Sequence, residues 1–386
     1  MIKQDCYDCI IVGAGFAGAV AAREMAERGG KRVLVLEKRS HTGGNAYDCP
    51  DKEGLIIHKY GPHIFHTGSE RVYEYLSRFT HWRSYEHRVL ADVYKKLMPV
   101  PFNLNSLKIA FAQDKADSIR KTLISTYGKE TKISILELKK HSNPDIQELA
   151  EYVYRNIFLY YTQKQWGSRP EDIDPSVTAR VPVFISEDDR YFQDKYQGIP
   201  LKGYAALFQS LLNHPNITLK LDTDAGDFLQ FGEGNISFNG SIFEGTVIYT
   251  GAVDELFSCR FGCLPYRALD FELETYGVRW KQPCGTVNYT VSEPYTRITE
   301  FKHLTGQHHD SRTTVMREYP CEYHGGRDEI PCYPVISAES VHLYNRYMQL
   351  AAAYPDFHLL ARLAEYKYYN IDAVIEKTLE LADKLI

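Results

Sequence analysis

The chain of 386 residues lacks long hydrophobic runs, an excess of basic residues and a cysteine pattern typical of metal sites. No apolar stretch approaches the roughly 20 residues that cross a bilayer, so we expect no membrane span. Lysine and arginine number 45 against 50 acidic residues, for a net charge of −5, which argues against a nucleic-acid-binding protein. A strand is predicted almost at the N-terminus, so we expect no signal peptide and a cytoplasmic location.

Eight cysteines are scattered along the sequence. Cys6 and Cys9 have the spacing of half a redox or zinc motif, but they lie at the start of a predicted buried strand, where small apolar residues are ordinary. Cys259 and Cys263 are separated by three residues and have no convincing second pair. The sequence therefore predicts no metal site.

The most informative motif is a glycine-rich turn between a strand and a helix. An apolar strand over residues 7–12 leads into Gly13-x-Gly15-x-x-Gly18 and an alanine-rich helix over 17–28. Gly13 permits a tight turn, Gly15 lets the backbone approach a pyrophosphate, and Gly18 lets the helix pack against the strand. Because a helix N-terminus offers free N–H groups to phosphate, this context predicts a dinucleotide site.

A second strand over 32–36 ends in Glu37, 24 residues after Gly13 and near the place expected for a ribose-binding carboxylate. Gly43, Gly44 and Asn45 follow at once, an arrangement that resembles FAD-binding proteins more than nicotinamide-binding ones. The His-, Gly- and Pro-rich segment 58–67 is predicted to be a rigid loop near the flavin ring. We therefore expect FAD as the cofactor.

The remaining patterns predict three kinds of structure in an α/β protein. Residues 70–169 have mostly helical spacing, with a possible cap at Ser134 and Glu137, and residues 264–335 alternate as in an antiparallel sheet. The predicted fold is a discontinuous Rossmann-like FAD-binding domain, an inserted helical bundle and an antiparallel β-sheet domain. Their predicted ranges are 1–77, 200–263 and 336–386 for the first, 78–180 for the second, and 181–199 and 264–335 for the third.

Five segments together resemble the bacterial UDP-galactopyranose mutases over essentially the whole chain. They are more specific than the glycine motif, and the three-domain arrangement of that family agrees with the pattern above. The segments are residues 60–66, 161–167, 189–198, 294–303 and 362–372.

The resemblance implies an isomerase that interconverts UDP-galactopyranose and UDP-galactofuranose, with no net redox change, for cell-surface polysaccharide. In that family the FAD must be reduced, and its N5 attacks the anomeric carbon while UDP leaves and returns. This is covalent catalysis in which the cofactor carries the hard chemistry. A cellular reductant and a homodimeric assembly are implied as well.

The resemblance also assigns a substrate site. Arg180 and Arg297 match arginines that hold the diphosphate, a task suited to the guanidinium group. An isolated arginine is more often a surface ion pair, and an isolated aromatic residue more often packs in a core. Asn288 matches a uridine or sugar contact, although the interval from Asn288 to Arg297 is one residue shorter than in the family. The matching aromatic residues are Phe158 and Tyr161 at uridine, Trp166 on the substrate loop, and Tyr191, Tyr333 and Tyr368 at the diphosphate.

The implied cofactor site includes His63 against the flavin ring as a catalytic residue and Arg362 at the pyrophosphate. Asn370 stands where the family usually has Asp, but an amide both accepts and donates hydrogen bonds. The full set of implied cofactor residues is Gly13, Gly15, Phe16, Ala17, Gly18, Glu37, Lys38, Gly43, Gly44, Asn45, His63, Ile64, Thr250, Gly251, Arg362, Tyr368, Asn370 and Ile371.

Two other functions stay open from the residues alone. An FAD-dependent amine or alcohol oxidase would share the cofactor domain but would not need two arginines and several tyrosines. A non-enzymatic binding module with this fold would be expected to have lost Glu37 or the glycine motif, and both are intact.

Overall fold

A computed structural model describes residues 7–167, 182–232, 234–326 and 329–386. At its centre lies a five-stranded parallel sheet in which Cys9–Val12 is the middle strand. The strands Cys9–Val12 and Val33–Leu36 are almost wholly buried, as expected for parallel strands that are covered on both faces of the sheet. The strand order is Ile217–Lys220, Val33–Leu36, Cys9–Val12, Thr246–Tyr249 and Phe357–Leu359.

Helices cover this sheet on both faces. Phe16–Glu27 lies between the sheet and the helices Tyr204–Leu212 and Ile371–Leu385, so that ten of its twelve residues are buried. Its many alanines allow that close packing. The opposite face packs against Ala338–Ala351 and a small antiparallel sheet. The α/β class and the Rossmann-like arrangement predicted from the sequence are confirmed.

A seven-stranded sheet forms the second large layer. Its pairs are antiparallel except for Thr286–Tyr289 beside Val89–Val93, which run parallel. The strand order is Tyr333–Pro334, Tyr266–Tyr276, Thr313–Glu322, Arg297–Glu300, Thr286–Tyr289, Val89–Val93 and Lys96–Val100.

Two strands of this sheet correct the prediction that residues 78–180 are helical. Val89–Val93 and Lys96–Val100 form a hairpin on its edge, preceded by a further strand at Trp82–Ser84. The hairpin turn consists of Tyr94 and Lys95, which both have positive φ angles. Since glycine and asparagine are the usual residues at such a turn, the sequence carried no hairpin signal there.

The helical part packs around a core of its own. Asn103 and Asn143 cap two of its helices, and Ser134 accepts from the backbone N–H of Glu137, as its spacing predicted. A π-helical segment, Tyr154–Leu159, joins the last two helices. The helices are Leu104–Ala110, Gln113–Tyr127, Ile135–Leu138, Pro144–Val153 and Tyr160–Trp166, with Glu70–Ser77 preceding them in the chain.

Two further strands differ from the sequence prediction. Val183–Phe184 pairs with Lys132–Ile133, and Tyr196–Pro200 pairs with Phe65–Thr67, so neither strand of 181–199 joins the large sheet. The strand Phe357–Leu359 joins the parallel sheet from between the two C-terminal helices, Ala338–Ala351 and Ile371–Leu385. The exact division into three domains stays a prediction. The remaining short elements are Asp48–Pro50, Ile56–His58, Gly44–Ala46, Ala225–Asp227, Leu229–Gly232, Asn235–Phe238, Ser241–Ile242, Val253–Leu256 and Phe301–Thr305. None of the helices in the described ranges is long and apolar enough to cross a membrane.

Candidate active site

A cavity of about 690 Å³ opens at the carboxyl ends of the parallel strands. This edge is where open α/β sheets bind their ligands, because the loops that leave the strands diverge there. The volume lies within the roughly 300–1,000 Å³ common for cofactor sites. Fifteen of the eighteen predicted cofactor residues line it: Gly13, Gly15, Phe16, Ala17, Glu37, Lys38, Gly43, Gly44, Asn45, His63, Thr250, Gly251, Arg362, Asn370 and Ile371.

The glycine turn forms a cradle that side chains would fill. Gly13 has φ +99°, and a Cβ atom there would lie 2.1 Å from Oγ1 of Thr250. Gly15 and Gly44 face each other so closely that a Cβ on Gly44 would lie 3.1 Å from Cα of Gly15. The helix Phe16–Glu27 begins directly behind this gap and has no side-chain cap, so its first N–H groups face the cavity. These features fit the pyrophosphate of a dinucleotide.

Glu37 lies beside that cradle with 5% of its surface exposed. Its carboxylate accepts from the backbone N–H of Ala14 at 2.8 Å and of Arg39 at 2.9 Å. Arg39 donates in turn to Asn45, while its Nη1 has no hydrogen-bond partner among the described residues. An orphaned, buried donor on the cavity wall suits an anionic or carbonyl-bearing ligand.

Three predicted cofactor residues do not line the cavity. Gly18 instead lets the helix Phe16–Glu27 pack against the turn at Gly13, since a Cβ atom at Gly18 would lie 1.9 Å from the carbonyl oxygen of Gly13. Ile64 packs in a small apolar cluster with Phe301 and Met316, so its side chain is a core residue. Tyr368 lies under the guanidinium of Arg362, 4.6 Å from its ring centroid.

Beside the cavity, the register of the seven-stranded sheet places three polar residues in one row. Asn288 lies opposite Arg297, and Arg297 lies opposite Glu318 on the next strand. Directly opposed residues of antiparallel strands point to the same face. Nε of Arg297 is 3.1 Å from a carboxylate oxygen of Glu318, whose side chain is 1% exposed.

Buried atoms in this row have unused hydrogen-bonding capacity. Oδ1 of Asn288 and Oε1 of Glu318 are both buried without a hydrogen-bond partner among the described residues. Burial raises the pKa of Glu318, and the charge of Arg297 opposes that rise. Burial alone would lower the pKa of Arg297, but the neighbouring carboxylate of Glu318 raises it, so the guanidinium stays charged.

Tyrosines surround Arg297: two that the resemblance assigns to the diphosphate, Tyr191 and Tyr333, and one that it assigns to uridine, Tyr161. Tyr161, Tyr333 and Tyr191 all lie close enough to influence its pKa. Burial raises the pKa of Tyr161 and of Tyr333, so both hydroxyl groups keep their protons and remain hydrogen-bond donors. The ring of Tyr333 stacks on Tyr368 with 5.8 Å between centroids.

Trp166 lies at the end of its helix with its ring 5.8 Å from that of Tyr333. The structure thus brings the predicted tryptophan next to the tyrosine stack. Arg362 joins this stack to the cavity, because its guanidinium lies over both rings and donates to the carbonyl oxygens of Cys332 and Tyr369.

The loop that carries His63 connects the cavity with the polar row. Gly61 lies against Glu318 and Phe271, where a Cβ atom would meet both side chains within 4 Å. Nδ1 of His63 donates to the carbonyl oxygen of Gly61 at 2.9 Å, which leaves Nε2 as an acceptor. Burial, with the nearby charges of Arg362 and Arg297, lowers the pKa of His63 to about 4. His63 is therefore neutral at pH 7 and a weak base.

Two predicted substrate residues are not brought into this arrangement. Phe158 is 3% exposed and packs in the core of the helical part, so its position favours packing rather than stacking on uracil. The π-helical segment sets the direction of its side chain. Arg180 lies outside the described residues, as does Cys6.

The sequence prediction did not include Glu318 or Lys164. Glu318 had a signal: it lies on the same strand face as Thr314 and Met316, which are buried, so that an acid stands in an apolar position. Lys164 had none. Its Nζ donates to the carbonyl oxygens of Tyr289, Glu293 and Tyr295 at 2.6–3.0 Å, and it thereby ties the helix of Tyr161 to the turn before Arg297.

Replacing Lys164 with methionine is expected to lower kcat/KM about ten- to hundred-fold. The change removes three charge-assisted hydrogen bonds and leaves three carbonyl oxygens unpaired between the two walls of the site. Steady-state kinetics would measure it, with the exposed Lys121→Met variant as the control. Unchanged kcat and KM in Lys164→Met would show that the two walls hold their spacing without this side chain.

Buried histidines should make the protein sensitive to acid. Burial lowers the pKa of His58 and of His87 to about 3 from the usual 6.5, so both are neutral when folded. Below pH 6.5 only the unfolded chain takes up these protons, and stability therefore falls as pH decreases. Each residue should contribute about 1.4 kcal/mol per pH unit between pH 6 and pH 4.

Urea unfolding of wild type and His87→Gln across this range would test that prediction. The difference between their unfolding free energies should change by about 1.4 kcal/mol per pH unit, in favour of the variant as pH falls. A constant difference would mean that His87 is charged in the folded protein.

The parallel sheet, the glycine cradle and the lined cavity define a nucleotide-cofactor-binding protein of Rossmann-like fold. Comparisons with known proteins agree. Residues 11–79 match the family model of the NAD(P)-binding Rossmann-like domain, and residues 156–368 match that of UDP-galactopyranose mutase. The second match covers more than half of the chain and contains Tyr161, Arg297 and Tyr333.

Relatives match along the full length. A probable UDP-galactopyranose mutase of Klebsiella pneumoniae is 34% identical, with 98% of this chain and 94% of the relative covered. A UDP-galactopyranose mutase of Mycoplasma pneumoniae is 33% identical, with 100% and 98% covered. The crystal structure of a reduced UDP-galactopyranose mutase superposes with a TM-score of 0.68 at 15% identity, over 98% and 95% of the two chains. The chain belongs to the UDP-galactopyranose mutase family and is an enzyme of the isomerase class.

Another relative of similar identity is named for a different substrate. A dTDP-fucopyranose mutase of Escherichia coli is 34% identical, with 98% of both chains covered. By contrast, an (S)-6-hydroxynicotine oxidase of Paenarthrobacter nicotinovorans matches only 25% of this chain. In sequence, the mutases match throughout and this oxidase matches only in part, so the sequence comparison favours the mutase family over the oxidase alternative.

Proposed function

We propose that this enzyme interconverts UDP-galactopyranose and UDP-galactofuranose with reduced FAD bound in the cavity. The observation that carries the proposal is the row of Asn288, Arg297 and Glu318 beside the loop of His63. A buried guanidinium ringed by tyrosine hydroxyls suits the diphosphate of a nucleotide sugar. It does not suit the substrate of an amine oxidase, whose amino group is itself a cation near pH 7.

When bound, the reduced flavin would supply the nucleophile, N5, for the anomeric carbon of the sugar. The chain's own residues would perform the remaining tasks. Arg297 would neutralise the charge that grows on the diphosphate as its bond to the sugar breaks, assisted by hydroxyl donors from Tyr161, Tyr191 and Tyr333. The family resemblance adds Arg180 to this group.

The walls of the site would position the substrate and exclude water from it. The unpaired Oδ1 of Asn288 can accept from a sugar or uridine donor group. His63 would accept through Nε2 near the ring system, and the stack of Tyr333, Tyr368 and Trp166 would shield the reacting centre. The residues that face the cavity would hold the sugar within reach of the cofactor.

The decisive experiment is turnover of UDP-galactofuranose by flavin-loaded protein with and without dithionite, with the pyranose followed by chromatography. Conversion is expected only under reducing conditions. No conversion by reduced, flavin-loaded protein would refute the proposed reaction. A flavin spectrum recorded on the same sample separates an inactive enzyme from one that lacks its cofactor.

The dTDP-fucopyranose mutase among the relatives makes a dTDP-6-deoxyhexose the second candidate substrate. Running dTDP-fucopyranose in parallel at equal concentration would separate the two. A larger kcat/KM for the dTDP sugar would keep the mutase chemistry and change the substrate. We further propose a cytoplasmic homodimer, kept active by a cellular reductant, that supplies galactofuranose for cell-surface polysaccharide.

A further inference from the structure

Outside the proposed active site, three potential metal ligands converge at one turn. Asp254 lies in the short helix Val253–Leu256, just beyond the strand Thr246–Tyr249 of the parallel sheet. Cys259 and Cys263 follow in the turn after that helix. One ligand atom from each of the three residues lies within 4.8 Å of the others. The sequence has no second cysteine pair to complete a metal site with Cys259 and Cys263. The fold instead places the carboxylate of Asp254 beside them.

We propose that Asp254, Cys259 and Cys263 form a binding site for a thiophilic divalent cation of the zinc or cadmium type, with water as the fourth ligand. Two sulfur atoms and one carboxylate oxygen suit these ions better than magnesium or calcium. An open fourth position is common where only three protein ligands are present.

One edge of the ligand triangle is close to the length that a tetrahedral ion requires. Bond lengths of about 2.3 Å to sulfur and 2.0 Å to oxygen give ligand-to-ligand edges of about 3.5–3.8 Å. Sγ of Cys259 lies 3.9 Å from Oδ2 of Asp254. No backbone movement is needed at that edge.

Hydrogen bonds hold the carboxylate ligand in place. The backbone N–H of Leu264 donates to Oδ2 of Asp254 at 2.8 Å, and the hydroxyl of Tyr266 donates to Oδ1 at 3.3 Å. Each oxygen retains a lone pair. Such outer partners orient metal ligands and are a regular part of metal sites.

The turn itself is also fixed. The backbone N–H of Cys259 donates to the carbonyl oxygen of Asp254 at 2.8 Å. The hydroxyl of Tyr347 donates to the carbonyl oxygen of Gly262 at 2.7 Å. Cys263 is exposed, so an ion can enter from solvent, whereas Asp254 is 3% exposed. The site is therefore rigid at its base and open at its mouth.

Binding would exchange two thiol protons for the ion, since both cysteines must bind as thiolates and the carboxylate brings its own charge. Ser258 and Arg260, on either side of Cys259, line the cofactor cavity, which places the ion behind one wall of that cavity.

Titration of the flavin-loaded protein with Cd²⁺, in the presence of a phosphine reductant, tests the proposal. We expect one equivalent to bind per chain, with sulfur-to-cadmium charge-transfer absorption and release of about two protons. Competition with a chelator should give the corresponding Zn²⁺ affinity.

Cys263→Ser is the informative variant. Because Cys263 is exposed, its replacement should leave the fold of the protein intact. It is expected to weaken Cd²⁺ binding at least about ten-fold and to halve the charge-transfer band. The matched control is Cys321→Ser, a half-buried cysteine on the seven-stranded sheet, which should bind as wild type does. Absence of saturable binding by wild type, or equal binding by Cys263→Ser, would overturn the proposal.

Discussion

Arg297→Ala is expected to lower kcat/KM for the sugar interconversion about a hundred- to thousand-fold while flavin stays bound. The guanidinium is the charged group at the centre of the row with Asn288 and Glu318, and removal of one such transition-state donor typically has this effect. Kinetics under reducing conditions, with flavin absorbance per chain measured alongside, would check it. Loss of the partner also leaves Glu318 buried and unpaired, so thermal stability should fall.

Two further variants separate the catalytic effect from the structural one. Arg297→Lys keeps the charge but not the planar pair of donors, and we expect an intermediate loss. Arg317→Ala removes a guanidinium next to Glu318 in sequence but on the opposite face of the strand, where it pairs with Glu274. Its turnover should stay near that of wild type. Equal activity of Arg297→Ala and Arg317→Ala would remove Arg297 from the proposed reaction.

The second large effect is expected from Gly18→Ala, which should yield protein with little or no bound flavin. An added Cβ atom would lie 1.9 Å from the carbonyl oxygen of Gly13. That oxygen belongs to the backbone and cannot rotate out of the way as the end of a flexible side chain can. The helix must move away from the turn, and the cradle of Gly13, Gly15 and Gly44 opens. The ratio of flavin to protein absorbance after purification would measure the loss.

Gly232→Ala is the matched control, because a Cβ atom there meets nothing within 4 Å and the φ angle is not positive. It should retain a full complement of flavin. If Gly18→Ala also retained it, the close contact between helix and turn would not be needed for the cofactor site.

Local sequence patterns predicted most of the nucleotide-binding part. The strand, glycine turn, helix and acid of residues 7–37 follow from short-range rules, and each was found with bounds shifted by at most a few residues. Fifteen of the eighteen predicted cofactor residues line one cavity, since the motif fixes its own geometry. Ile64 does not line the cavity, because its side chain packs against a small apolar cluster, and its assignment to the cofactor stays a prediction.

The helical part was less predictable. The hairpin of Val89–Val93 and Lys96–Val100 was missed because its turn has neither glycine nor asparagine. Phe158 was assigned to uracil from the resemblance, yet the structure buries it among the helices. A helix-like pattern tells which residues are apolar but not which of them face a ligand.

The sequence by itself determined the class of fold, the family and the position of the dinucleotide site, because these depend on motifs whose residues are near one another in the chain. The resemblance assigned Asn288 and several tyrosines to the substrate site, but only the tertiary structure decided how they and the unpredicted Glu318 meet around Arg297. Glu318 and Asn288 come to it through strand register, Gly61 through loop packing, and Lys164 through bonds to carbonyl groups more than a hundred residues away. Such partners leave no periodic signal, since pairing across a sheet depends on how separate strands align.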